Sequence, residues 1–452
     1  MERLEGIFYN LSGRLWGNWL LYVLIGVGIL YTVITGFIQV RYFPYIIKTT
    51  LIKPLMTRSK KKENKEDSSI TSFQALCTAL ASCVGSGNIV GVSTALVSGG
   101  LGAIFWMWVA AFFGMATKYA EILLGMVYRE KNEKGEFLGG PMYYIGKGLH
   151  MPFLATLTAI FMTIQIIGGN FIQSNTISGV MKNTFNVSTK VTALVLMICV
   201  FIVISGGLKR VANFAQNIVP VMAAIYVLGG IIIIIMNFKI IPLVFKNIFI
   251  SAFTFKAGVG GVAGFTIKEA MRFGVARGLY SNEAGEGSAP VIHSAANVKH
   301  PVEQAIFGVT EVFIDTFVVC TITALLLACT GVLTSGKPAS SLAINAFATI
   351  HPIFKYVVSL SLILFSTSTL ISQWYFGYVG ISYVFNANIA DKFKYVFPLF
   401  TIFGTLSSIN LVWLIQDCAL GLLVIPNLIA LVILSPQVKR HTKEYFSTTT
   451  LE

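Results

Sequence analysis

The chain has 452 residues, of which 55% are hydrophobic and 12% charged, with a mean hydropathy of +0.76. Soluble domains carry about 25% charged residues, so this composition excludes a soluble protein with one anchor and calls for an all-α polytopic membrane protein. The net charge of +14 would suggest nucleic acid in a soluble protein. Here the basic residues lie mostly between apolar runs, so the expected partner is the lipid bilayer and no nucleic acid.

A span needs about 20 mostly apolar residues. Applied along the chain, that rule gives about 11 transmembrane helices, near residues 16–38, 72–96, 101–127, 152–181, 190–206, 211–237, 250–275, 303–332, 354–384, 394–409 and 411–434. Residues 1–14 are mixed and polar, and the run after them is too long for a signal-peptide core. The six cysteines (Cys77, Cys83, Cys199, Cys320, Cys329, Cys418) sit in apolar runs without zinc spacing, which fits small apolar filling.

Orientation follows from lysine and arginine. Arg41, Lys48, Lys53, Arg58, Lys60, Lys61, Lys62 and Lys65 share one connection, which is therefore expected in the cytoplasm. Alternation then places Arg129–Lys147, Lys209-Arg210, Arg272–Lys299, Lys392–Lys394 and Lys439–Lys443 inside as well. The N-terminus falls outside and the C-terminus in the cytoplasm. With the first span set aside, ten remain, in two inverted sets of five. The expected division is an extra helix and basic connection over 1–70, a first repeat over 71–240, a second over 241–436 and a cytoplasmic tail over 437–452.

Two runs are interrupted by glycine and polar residues: Gly85-Ser86-Gly87-Asn88 and Gly260-Gly261-Val262-Ala263-Gly264. Lipid cannot hydrogen-bond a loose backbone, so a break at membrane depth must be buried in protein or face a cavity. Two such breaks point to a secondary transporter with its site near the midplane. At the first, N–H groups opening the outer half-helix suit a carboxylate, and carbonyls ending the inner half suit sodium. Packing by small residues is the other reading of both stretches.

Further polar residues interrupt the spans. Gln173 lies in Gly169-Asn170-Phe171-Ile172-Gln173-Ser174-Asn175 and can donate and accept, as a zwitterion requires. Asn170 and Asn175 read better as interhelical bonds. The hydroxyls of Ser366-Thr367-Ser368-Thr369 are oxygens of the kind a hard cation accepts, or bonds to their own helix. Asp315 lies mid-span, where insertion costs about 3 kcal/mol, and needs a partner, a cation or a proton. Asp417 reads as structural. Lys118 and Glu121, three apart, read as an ordinary surface ion pair.

These residues resemble the alanine or glycine:cation symporter family. The matching stretches are Thr78–Gly91, Phe105–Trp108 with Phe113–Glu121, Gly139–Tyr144, Gly278-Leu-Tyr-Ser-Asn-Glu-Ala-Gly-Glu-Gly-Ser-Ala-Pro290, Phe313–Thr323 and Ile425–Ala430. The resemblance implies a LeuT-type fold, an inverted 5+5 repeat with one extra N-terminal helix. It also implies sodium-driven uptake of small neutral amino acids through the cell membrane by alternating access. In that family the substrate would lie against Ser86, Gly87 and Asn88, with Gln173, Gly260, Gly261, Ala263, Gly264 and Gln373 completing the pocket. A sodium ion would be held by Ala81, Val84 and Phe365 carbonyls and by Ser368 and Thr369 hydroxyls.

The chain departs from that family where Ser82-Cys83 replaces Gly-Thr, Ser86 replaces Thr, Gln373 replaces a tryptophan, and Glu286 replaces Leu or Met. The Gln373 change opens the alternative of a larger polar amino acid such as glutamine or serine. Proton coupling through Asp315 is the alternative to sodium. A channel would need a polar stripe along several spans. An enzyme is not expected, because no paired carboxylates or metal-ligand cluster lies at membrane depth.

Overall fold

The computed structural model describes residues 2–57, 70–254 and 266–448. The expected second interruption, Gly260–Gly264, lies outside the described residues, and so do its four substrate-binding candidates Gly260, Gly261, Ala263 and Gly264.

Seventeen helices carry the described architecture: α1 (Glu2–Leu15), α2 (Asn18–Ile34), α3 (Ser72–Cys83), α4 (Gly87–Gly99), α5 (Gly102–Val127), α6 (Pro152–Phe185), α7 (Thr189–Ile204), α8 (Gly207–Met236), α9 (Ile241–Phe253), α10 (Ile267–Asn282), α11 (Ala289–His293), α12 (Pro301–Cys329), α13 (Ala339–Ala348), α14 (Phe354–Val384), α15 (Ala387–Val396), α16 (Phe400–Leu406) and α17 (Ile409–Thr448). Short helical segments over 38–57, 141–148, 332–334 and 397–399 and a hairpin, β1 (Glu130–Lys131) and β2 (Phe137–Leu138), complete it. Among the described residues, six helices are long and apolar enough to cross a bilayer alone, and eight spans result when the bent pairs α1–α2 and α3–α4 each count once. The other three expected spans are α7, at sixteen residues, the composite α15–α16, and the run at 250–275. The last is not one helix: α9 ends at Phe253 and α10 begins at Ile267.

Two capping boxes fix where the half-helices begin. Thr71 Oγ1 accepts from Gln74 N (3.1 Å) while Gln74 Oε1 accepts from Thr71 N (2.9 Å). Thr266 Oγ1 accepts from Glu269 N (3.1 Å) and Glu269 Oε2 accepts from Thr266 N (2.8 Å). Each satisfies two of the N–H groups that open a helix. The paired signals mark α3 and α10 as counterparts in the two halves.

The counterparts run antiparallel. Gly99, ending α4, packs on Phe273 and the Glu269 carbonyl, and Gly87 packs on Tyr280 and Ser281. Ser82 lies 3.5 Å from Glu283, and Ile70 exchanges backbone bonds with Ala295 and Asn297 (3.2 and 3.1 Å). The order 99 to 70 on one chain segment thus matches 269 to 297 on the other. The start of α3 and the residues after α11 meet at the end of the molecule where α5 finishes, with Ile70 bonded to Ala295 and Asn297 and Arg129 to the Ser294 and Ala296 carbonyls. That end carries Arg129, Lys131, Lys147 and Lys299. Arg272 and Arg277 do not belong to a connection, as the charge pattern suggested: both lie in α10. The final helix continues through Lys439–Lys443 to Thr448.

Candidate functional site

The first break falls where Gly85 and Gly87 predict it. Helix α3 stops at Cys83, Val84 leaves helical angles (φ −78°, ψ 86°), and α4 departs at 48°. Glycine is required at 85, because a Cβ there would overlap Thr369 Oγ1 and stand 3.2 Å from Gln173 Nε2. The loosened backbone is satisfied by side chains, as buried N–H groups must be: Gly85 N donates to Asn88 Oδ1 (2.9 Å) and Ser86 N to Gln173 Oε1 (3.2 Å). Gln173 therefore meets the break through its amide oxygen. Asn170 and Asn175 do what the bland reading assigned them, binding the Phe397 carbonyl (3.1 Å) and the Gly404 and Ser407 carbonyls (3.0 and 2.8 Å).

Beside the break, oxygens converge from two helices. Thr369 Oγ1 lies within hydrogen-bond reach of the carbonyls of Ala81 (2.9 Å) and Phe365 (3.0 Å), which share its one proton, and Ser368 Oγ donates to Phe365 O (2.8 Å). Four of the five expected sodium ligands thus share one hydrogen-bonded cluster, and Val84 ends the same helix turn. The cluster is buried, uncharged and rich in oxygen, the chemistry a hard cation prefers. Those hydroxyls also bond their own helix, so the two readings of Ser368 and Thr369 describe one arrangement.

Among the described residues, the break in the second half lies at Glu283–Ser288. Helix α10 ends at Asn282, and Glu283 (φ 57°), Gly285 (φ 99°) and Gly287 (φ 85°) take left-handed angles before α11. Glycine adopts those angles without steric cost. The stretch packs against the first break: Glu283 Oε2 accepts from Ser288 Oγ at 2.5 Å and faces Ser82.

Asp315 ties both breaks together. Its Oδ1 accepts from Asn88 Nδ2 (2.6 Å) and Ser281 Oγ (3.0 Å), and its Oδ2 from Thr316 Oγ1 (2.8 Å). The partner it needs is therefore a set of neutral donors. Cys320 joins them, 3.2 Å from Ser281 Oγ and 3.4 Å from Asn88 Nδ2, so this cysteine does more than fill apolar space. The Asn88 side chain serves Asp315 and Gly85, which leaves its backbone as the part that can face a solute.

Lys118 and Glu121 are not a surface pair. Both are fully buried. Lys118 Nζ lies 2.7 Å from Glu311 Oε1 and donates to Asn282 O at 2.7 Å. Glu121 accepts from Asn427 Nδ2 (2.6 Å) and Gly285 N (3.3 Å), and Tyr144 OH donates to Asn427. Glu286 is buried too, with Oε1 unpartnered. A charged group is rarely buried without a partner; these were missed because charged residues near Gly285 and Gly287 read as an aqueous connection.

Gln373 is buried against Gly169, where a Cβ would stand 2.5 Å from its Oε1, and that oxygen has no partner. Gly169 and Gln173 lie one turn apart on one face of α6, so Gln373 is on the side of the break. Trp374 packs on Tyr378 (5.7 Å) within the core. Two residues to which the sequence reading gave no role close the same region. Tyr280 covers Gly87 and packs on Trp413 (4.9 Å), over which Arg277 lies (4.5 Å) while pairing with Asp417 (3.0 and 3.2 Å). Asp417 is structural, as expected.

Two antiparallel broken helices, joined at mid-length through buried polar groups, define a secondary transporter. The model of the sodium:alanine symporter family matches residues 1–451, and the chain belongs to that family. It is accordingly an amino-acid transporter, multi-pass in the membrane, from a family of transporters rather than enzymes. It is 40% identical to the sodium/alanine symporter AgcS of Methanococcus maripaludis, over 96% of each chain. It is 34% identical to the probable sodium/glutamine symporter GlnT of Bacillus subtilis, over 98% of this chain and 91% of that one. Among solved structures, MhsT in complex with L-phenylalanine superposes with a TM-score of 0.54 at 14% identity, over 80% of this chain and 88% of that one. That likeness concerns the LeuT-type fold alone.

Proposed function

We propose that this chain imports small neutral amino acids of the alanine and glycine class across the cell membrane, driven by sodium. The observation that carries the reading is the uncharged oxygen cluster of Ala81, Phe365, Ser368 and Thr369 against the Gly85 break. Sodium there, with Val84, would order the end of α3 and so set the Ser86–Asn88 backbone for the substrate carboxylate. Gln173 and Gln373 would line the remainder. Linkage then requires the amino acid to raise sodium affinity by the same factor. The close approach of Thr369 to Gly85 and of Gln373 to Gly169 supports a small solute. Alternating access would expose this site first to the outside and then to the basic end. The basic residues gathered at that end support a cytoplasmic C-terminus and an outer N-terminus, and the antiparallel packing of α3 and α4 against α10 supports repeats over 71–240 and 241–436.

A zwitterion carried with one sodium moves one charge. A potential of about 100 mV supplies roughly 2.3 kcal/mol and a tenfold sodium gradient about 1.4 kcal/mol, enough for accumulation of about a few hundredfold. Uptake into proteoliposomes should collapse when choline replaces sodium at fixed pH; persistence would select proton coupling.

The unpartnered Gln373 Oε1 favours a second reading, a larger polar amino acid such as glutamine or serine, and the similarity to GlnT agrees with it. A competition panel of L- and D-amino acids against labelled alanine separates the two. Gln373→Trp should narrow the preference toward alanine and glycine. An unchanged competition profile would remove Gln373 from the pocket.

A further inference from the structure

The last carbonyls of a helix lack intrahelical partners and carry the negative end of its dipole. This molecule buries two such ends, one at each break. At the end of α3 the Ala81 carbonyl meets the neutral oxygens assigned above to exchangeable sodium. The end of α10 is completed differently. Lys118 reaches it from α5: its ammonium donates to Asn282 O at 2.7 Å and lies 2.7 Å from Glu311 Oε1, with the side chain fully buried. Glu311 Oε2 in turn faces His293 Nε2 (3.3 Å), whose Nδ1 lies 2.6 Å from Gln304 Nε2. A positive charge is thus already bonded to the carbonyl end and held by a carboxylate.

We propose that Lys118 is a built-in cation at the second broken helix, standing where its counterpart takes sodium, and that the chain therefore carries one exchangeable cation per amino acid. Asp315 already receives three hydrogen bonds, from Asn88, Ser281 and Thr316, and the proposal gives it no exchangeable ion. The inference rests on the sodium-symport reading.

The test is the reversal potential of alanine flux in proteoliposomes, measured across imposed sodium gradients and membrane potentials. The expected charge-to-alanine ratio is one, with a sodium Hill coefficient of one. A ratio of two overturns the inference and leaves sodium symport standing. Flux without any sodium dependence rejects the symport reading and the inference with it. Lys118→Ala, which keeps Glu311, should raise the Hill coefficient toward two, and Lys118→Ala with Glu311→Gln should return it to one. A coefficient that stays at one in a folded Lys118→Ala overturns the proposal. Should Lys118→Ala fail to fold, the wild-type ratio decides.

Discussion

Gly85→Ala should lower the sodium affinity of transport at least about tenfold, equivalent to about 1.4 kcal/mol, while the protein still inserts and folds. The added methyl would overlap Thr369 Oγ1 and press on Gln173 Nε2 at 3.2 Å. Overpacking of this kind costs about 1–3 kcal/mol. Thr369 is β-branched, so it cannot rotate away cheaply. The strain is relieved by moving the α3 end away from α14, which separates Ala81 O from Thr369 Oγ1 and Phe365 O. Sodium titration of alanine uptake reads the effect. Gly85→Ala with Thr369→Ala removes the overlap but also a proposed ligand. It should recover thermal stability in detergent without recovering sodium affinity. If Gly85→Ala alone titrates with sodium as the parent does, the cluster beside the break is not the ion site.

The first break is legible in sequence because its glycines interrupt an otherwise apolar helix, and because Thr71 and Gln74 announce the helix start. The same signals exist in the second half: Thr266 and Glu269 form the matching box, and Gly285 and Gly287 the break. They are obscured by charge. Glu283 and Glu286 lower the local hydropathy, so the segment reads as a connection. Hydropathy assumes that charges seek water. Here Lys118, Glu311, His293 and Asn282 bond one another in the interior, and that pairing is visible only when α5, α10, α11 and α12 are brought together. The three-residue spacing of Lys118 and Glu121 misleads for the same reason: their partners lie on other helices. Gln173 is legible because an amide in that polar run needs a counterpart, whereas the roles of Tyr280 and Trp413 depend on packing that no local pattern records.

Asn88→Leu should have the largest effect on stability. It removes the donor 2.6 Å from Asp315 Oδ1 and the acceptor 2.9 Å from Gly85 N. Leaving a buried hydrogen-bonding group without its partner costs about 1–3 kcal/mol, more for a charged one, and the variant strands two, the Asp315 carboxylate oxygen and the Gly85 N–H. Folded proteins hold only about 5–15 kcal/mol in reserve, so the variant should unfold at markedly lower temperature or fail to accumulate. Asp315→Asn should be milder, because the carbonyl oxygen of the new amide can still accept from Asn88 and Ser281. The exchange Asn88→Asp with Asp315→Asn is the sharper measurement. It restores a donor at 315 facing an acceptor at 88, and Gly85 N keeps its acceptor. If these two residues act as one clamp between the breaks, the exchange should be more stable than Asn88→Asp alone, where two carboxylates would face each other within about 3 Å and repel. Simple addition of the two single effects would show that Asn88 and Asp315 stabilise the protein independently, and that the first break does not depend on the second half to hold its shape.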